Sequence, residues 1–435
     1  MNSRINHKNI VTKKNRLSNL FYVRQAVASA TFFIGVLEFC LKDRGVYMLN
    51  FTHDIPTKIY FGKGSISHLD EALNSFGKNV LLAYGGGSIK RSGLYDTVME
   101  ILNNGGYNVV ECSGIEPNPR ITSVEKGASL CKEHHIDVVL AVGGGSTIDC
   151  AKAICCGAYY EGDLWQMAKT HEGHRKALPL VDVLTLSATG SEYDDGAVIS
   201  NLETKEKLGN TYTFPSVSIC DPTYAYSVSQ YQTAAGSADI MSHIFEGYFS
   251  ETMDSDLADG IAETVLKSVM KNLPIALKKP DNYSARANLM ADSSIACSGI
   301  PEYGKASTGW PCHAMEHELS AYYDITHGVG LAILTPRWMR YIVEKDPACK
   351  ERFVKFAKNV MGLDGEDEDA LIQHSIDDLE QFFKDCGIPS TLTELNITDE
   401  YFEEMAKHAN RNNRLANAYV PLTVEDIMNI YKNCL

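Results

Sequence analysis

The sequence predicts an α/β protein in two parts: a parallel sheet wound with helices, then a half built only of helices. Three observations carry this. Short apolar runs alternate with helical patterns from Lys58 to Cys220. Two of those runs end in glycine-rich loops, Gly85-Gly86-Gly87-Ser88 and Gly143-Gly144-Gly145-Ser146. After Asp221-Pro222 the strand pattern stops and long helical stretches take over. An apolar strand followed by a crossover helix is what a parallel sheet requires, because helices cover both of its faces.

In chain order, residues 79–84 (NVLLAY) read as a buried strand. A helix follows with Leu94, Val98, Ile101 and Leu102 on one face, stopped by Gly105-Gly106. Strand 107–111, helix 122–133, strand 136–142 and helix 147–156 make a second unit of the same kind, and 181–186 and 217–220 read as further strands. Helices are expected over 234–250, 255–273 and 283–297, and Thr423-x-x-Asp426 caps the last one, with Ile427, Ile430 and Tyr431 turned inward. The boundary falls near Ser229. The expected domains are an α/β domain over 48–228 and a helical domain over 229–435.

Residues 1–47 stand apart. A basic, Asn-rich start leads to an apolar run over 26–41 that is interrupted by Glu38 and shorter than the roughly 20 residues of a spanning helix. No small-residue cleavage site follows it, as a signal peptide would need. Arg44-Gly45 can be encoded by a purine-rich ribosome-binding sequence a few codons before Met48. Translation is therefore expected to start at Met48, making 1–47 a non-native extension.

A net charge of −15 argues against nucleic acid or an anionic membrane as a partner, since both call for basic surface. The twelve cysteines are scattered without a CxxC pair, which points to reduced core thiols and a cytoplasmic enzyme rather than a disulfide framework.

The glycine loops suit phosphate. Glycine lets the backbone approach a ligand, and the free N–H groups of a helix's first turn attract an anion. Gly144, Gly145 and Ser146 lie between strand and helix, with Asp149 and Lys152 on the turns that follow. The pattern is not GxGxxG, so the standard dinucleotide fold does not follow from it. In the first loop Gly86, Gly87, Ser88, Lys90 and Arg91 stand where dinucleotide sites commonly carry an acid for the ribose hydroxyls. Serine and cations suit a 2′-phosphate instead, so NADP(H) is expected over NAD(H).

Asp239 and His243 lie four apart, as do His313 and His317, and His327 follows past a polar break. Spacing of four puts two side chains on one helical face. Imidazoles with a carboxylate make a borderline ligand set for a divalent first-row metal; iron and zinc both fit it. Spacing alone leaves open whether His313 and His317 both bind metal.

GGGSTIDCAK, TLSATGSE over 185–192, the Asp239/His243 pair and HAMEHELSAYYDITHG resemble the iron-containing alcohol dehydrogenases over about residues 48–435. YGGGSIKRSGLYD resembles their butanol dehydrogenase-like, NADPH-using branch in particular. The resemblance implies a nucleotide domain and a helical domain with the active site in the cleft between them, in a dimer or larger assembly. It implies Fe2+, with Zn2+ as the alternative, held by Asp239, His243, His313 and His327, and His317 beside the nicotinamide as a non-ligand. Gly144, Gly145, Ser146 and Asp149 match its pyrophosphate loop, Thr185, Ser187 and Ser191 the nicotinamide end, and Lys207 a cofactor-ribose lysine. His317 is the candidate proton relay, because a neutral imidazole passes protons either way. The expected reaction is hydride transfer between NADP(H) and a small primary alcohol or aldehyde such as butanol or butyraldehyde. Two other readings stand beside it. One is an NAD-using lyase of the dehydroquinate synthase type, which would want a basic pocket; no Lys/Arg cluster accompanies the histidines. The other is a non-catalytic nucleotide- or metal-binding protein.

Overall fold

The structure, a computed structural model, describes residues 47–170 and 176–435. The extension over 1–46 and the histidines at 171 and 174, read from sequence as ordinary surface residues, lie outside the described residues.

Strands β1 (Lys58–Phe61), β2 (Asn79–Gly85), β3 (Asn108–Ile115), β4 (Val138–Gly143), β5 (Leu180–Leu184), β6 (Gly196–Asn201), β7 (Glu206–Thr211) and β8 (Val217–Cys220) make two sheets. Six form one parallel sheet in the order β1-β8-β5-β4-β2-β3. Its central strands are mostly apolar, the buried Asp182 of β5 taking a hydrogen bond from Ser218 of β8, and β4 and β5 are buried at every position, as a sheet covered on both faces requires. The chain leaves β2 outward to β3 and returns to β4 on β2's other side. That reversal opens a crevice at the strands' carboxyl ends, the usual ligand position in open α/β sheets. Both glycine loops and the turn after β5 lie there.

The antiparallel pair β6–β7 was not expected. Its strands, GAVISN and EKLGNT, are half polar and carry glycine, so they show little strand signal. Asp149, on helix Gly145–Gly157 after β4, fastens this hairpin to that helix: its Oδ2 accepts from the Val198 amide at 2.9 Å.

Ser229 opens the helical half, its hydroxyl accepting from the Gln232 amide at the head of helix Gln230–Tyr248. Eleven further helices and 3-10 turns follow before helix Val424–Asn433, where Thr423 and Asp426 form the expected capping box. One apolar core runs through this half, from Ala234 to Cys434. Among the described residues, eleven cysteines are free and no helix is long and apolar enough to cross a membrane.

Candidate active site

Three helices bring the histidines together. Asp239 and His243 share one face of Gln230–Tyr248. His313 and His317 lie on Pro311–Tyr323, whose entry is fixed by Trp310 in a left-handed conformation followed by Pro311. His327 is the first residue of His327–Lys345. Asp239 Oδ1 stands 3.8 Å from His243 Nε2, 3.9 Å from His313 Nε2 and 3.6 Å from His327 Nε2. Donors each about 2.1 Å from one ion stand about 3.0–3.5 Å apart across cis or tetrahedral angles, so a small contraction closes this set on a cation. Asp239 Oδ1 and His313 Nε2 are buried without a hydrogen-bond partner. Orphaned polar atoms cost free energy unless something binds them. Among the described residues, His317 makes no such approach to Asp239; its ring lies 5.5 Å from that of His327 and 6.3 Å from that of His313.

Burial sets the charge states. It pushes the Asp239 carboxyl up to about 8 and pulls His313 down to about 3; His243 and His327 are likewise held well below the usual imidazole value, again mainly by burial. Three imidazoles are thus neutral, with lone pairs available. The acid is one whose ionised form calls for a cation beside it. These residues fit a divalent metal.

Two glutamates that the sequence reading did not single out orient the His313 and His327 rings. Glu246 Oε1 accepts from His313 Nδ1 at 2.9 Å and from its backbone amide at 2.8 Å, which turns Nε2 toward Asp239. Glu316 contacts His327 Nδ1 and accepts from Lys207 Nζ at 3.3 Å. Carboxylates that fix an imidazole's tautomer in this way are typical of metal sites. A signal existed: Glu246 and Glu316 lie three residues after His243 and His313 on the same helical faces.

His243, His313 and His327 form one wall of a cavity of about 310 Å3 lined also by Ser146, Asp149, Thr189, Ser191 and Trp310. A second lobe shares Asn118, Ser146, Thr189 and His327 with it and carries Gly145 and Leu186. Asp149, which burial raises to about 6, accepts from the Ser191 hydroxyl at 2.6 Å. At Gly145 a Cβ would come within 2.2 Å of Thr189 Oγ1, so only glycine lets helix Gly145–Gly157 start this close to the turn after β5. Thr189 was not among the predicted residues, although it lies inside the quoted motif. Thr185 donates its amide to Gly143 O at 2.9 Å. Ser187 does not line the main cavity but a small one beside Thr233 and Arg286.

Lys207 lies beside Glu316 and His327, at the metal-type end of the cavity, rather than at the glycine loop. In that loop Gly87 has φ 102, a conformation glycine adopts freely, and opens the short helix Ser88–Arg91. Lys90 is drawn away from the loop, over the Tyr84 and Tyr95 rings and 3.9 Å from Glu111. Arg91 is the cation that approaches it, its Nη1 3.8 Å from where a Gly87 Cβ would stand. Gly86 has open space around it.

Two family models match the chain: iron-containing alcohol dehydrogenase over residues 56–222, and the C-terminal domain of the Fe-containing alcohol dehydrogenase family over 233–435. The chain belongs to the iron-containing alcohol dehydrogenase family. It is 50% identical over 389 residues to NADH-dependent butanol dehydrogenase A of Clostridium acetobutylicum, covering 88% of this chain and 99% of that protein. It is 35% identical to the NADPH-dependent aldehyde reductase YqhD of Escherichia coli, over 80% of this chain and 90% of the relative. The crystal structure of NADH-dependent butanol dehydrogenase A from Thermotoga maritima superposes with a TM-score of 0.84 at 40% identity, covering 89% and 99% of the two chains. This iron-type alcohol dehydrogenase is thus an oxidoreductase acting on CH–OH groups, an alcohol dehydrogenase or aldehyde reductase, and its family implies iron and a nicotinamide cofactor. The butanol dehydrogenases among its relatives are named for NADH and the aldehyde reductase for NADPH, so the NADPH-using branch expected from the first loop does not follow from them.

Proposed function

We propose that this enzyme interconverts small primary alcohols and aldehydes of the butanol/butyraldehyde kind, with Asp239, His243, His313 and His327 holding iron. The observation that carries the reading is the approach of two orphaned buried atoms, Asp239 Oδ1 and His313 Nε2, to within 3.9 Å where the two lobes meet: His313 lines the main cavity with Ser146 and Asp149, and Asp239 the second lobe with Gly145 and Ser146. Bound there, iron supplies Lewis-acid polarisation of the alcohol or carbonyl oxygen, and the nicotinamide supplies the hydride acceptor or donor. The chain does the rest. Glu246 and Glu316 keep the His313 and His327 rings oriented, and Lys207 offsets the charge of Glu316. Gly144, Gly145 and Ser146 present backbone N–H groups to the pyrophosphate, and Asp149 and Ser191 hold the hairpin that closes over it. His317, kept neutral mainly by burial and next by the Lys207 charge, takes a proton at its ring nitrogen and passes it toward solvent. Trp310 and Val198 wall the cavity with apolar surface.

NADP(H) is the preferred cofactor in this reading. Loop residues 85–91 carry no carboxylate to repel a 2′-phosphate, and Arg91 supplies a cation over Gly87. The ratio of kcat/KM for NADPH and NADH tests it. Residues 48–228 and 229–435 serve as nucleotide and metal domains. A homodimer is inferred as well, supported by the exposed Phe51 and Phe61 before and at edge strand β1, and light scattering checks it; a cytoplasmic location is inferred from the free, mostly buried thiols. Incubation of iron-loaded protein with NADPH and butyraldehyde tests the activity: net loss of reduced-cofactor absorbance is expected, whereas a lyase that uses NAD transiently gives none.

A further inference from the structure

We propose that Asn118, Arg120 and Asp324 form a latch across the cleft that couples nucleotide occupancy to retention of the metal ion. The inference rests on the metal and nucleotide assignments proposed above.

Residues 116–120 follow β3 and belong to the sheet-bearing half, where the Ser200 amide of β6 donates to Pro119 O at 2.8 Å and Arg120 bridges to Ser200. From this loop two side chains cross to the helical half. Arg120 Nη2 donates to Asp324 Oδ2 at 2.7 Å; Asn118 Nδ2 donates to Asp324 Oδ1 at 3.1 Å and to Ile325 O at 3.3 Å. Asn118 and Arg120 are buried, and Arg120 also has Glu116 at 3.5 Å. Asn118 and Asp324 both have φ 51, a left-handed conformation that Asn and Asp adopt more readily than other non-glycine residues.

Asp324 is placed to act on the metal site. It closes the helix that carries His313, and three residues later His327 opens the next. The far side of that helix start is already fixed: a Cβ at Gly328 would stand 1.9 Å from Ala235 O, on the helix that carries Asp239. Turn 324–326 is therefore the adjustable side of His327, and the latch holds it. The same Asn118 and Arg120 line the cleft lobe that contains Gly145 and Ser146. A nucleotide filling that lobe pins loop 116–120, and through Asp324 it pins His327. Linkage makes the effect reciprocal, so the metal tightens nucleotide binding by the same factor.

The test measures the rate at which anaerobic, iron-loaded protein loses Fe2+ to an excess of chromogenic chelator, with and without saturating NADPH. NADPH is expected to slow release at least about 5-fold in the wild type. In Asp324→Asn and Arg120→Gln that protection falls to within about 2-fold of none, and Arg120→Lys keeps part of it. The Asp324 side chain is 55% exposed, so its variant separates latching from folding. Direct contact between nicotinamide and ion would protect every variant equally; equal protection in all of them overturns the latch. A wild type that binds neither iron nor NADPH overturns instead the assignments on which the latch rests.

Discussion

Replacing Glu246 probes the proposed metal site without touching any of the four proposed ligands. Glu246 is 2% exposed and its Oε1 accepts both the backbone amide and the Nδ1–H of His313. In Glu246→Ala both donors lose their acceptor, at about 1–3 kcal/mol for each buried group left unsatisfied. The imidazole also loses the contact that selects its tautomer and aims Nε2 at the ion. Loss of such a partner typically weakens metal binding about 10–100-fold, which is about 1.4–2.8 kcal/mol. Glu246→Gln keeps an acceptor oxygen but no charge, so its loss is expected at the lower end. Competitive titration against a chelator of known affinity, under anaerobic conditions, reads the change. The melting temperature of metal-free protein controls for folding. If Glu246→Ala melts like the wild type and binds iron equally well, Glu246 does not orient His313 and the ligand geometry described here is wrong.

Other expectations follow from the same geometry. His243→Ala should lose iron and activity together, whereas His317→Ala should keep iron and mainly slow turnover; metal content of the two purified variants separates the roles, and a metal-free His317 variant would reverse them. Ser88→Asp places a carboxylate at the head of the Ser88–Arg91 turn and should raise the NADH-to-NADPH ratio of kcat/KM by about 10-fold or more, because that charge repels a 2′-phosphate; an unchanged ratio would put the ribose elsewhere. At Asp426 burial alone would raise the carboxyl, but Lys345, Thr423 and Tyr341 together hold it down at about 2. A depressed acid stabilises the fold above its unfolded value near 4 and loses that contribution as pH falls through about 2. Asp426→Asn should therefore lower the melting temperature at pH 7, with the deficit shrinking between pH 4 and pH 2.

Much of this architecture can be read in the chain, for reasons tied to particular residues. The β8 run at 217–220 is apolar but for Ser218 and follows Pro215 and precedes Asp221, and the Thr423–Asp426 box is a local motif; both depend only on neighbours. The hairpin 196–211 depends on Asp149 reaching across from another element, so its own residues carry little signal. The choice among His313, His317 and His327 also lies beyond spacing. His313 and His317 are equivalent on a helical wheel, and only the packing of three helices brings one Nε2 near Asp239 and leaves the other out. Lys90 and Arg91 make a similar case. Adjacent cations look interchangeable in sequence, but the Tyr84–Tyr95–Glu111 cluster takes Lys90 and leaves Arg91 facing the loop.

The proposed chemistry depends on one cation held among Asp239, His243, His313 and His327. The most direct measurement is NADPH oxidation by butyraldehyde in anaerobically prepared protein before chelation, after complete chelation and after Fe2+ is restored, with metal content determined at each stage. About one ion per chain, loss of turnover on removal and its return with iron are predicted; undiminished turnover in protein that contains no metal would contradict the account.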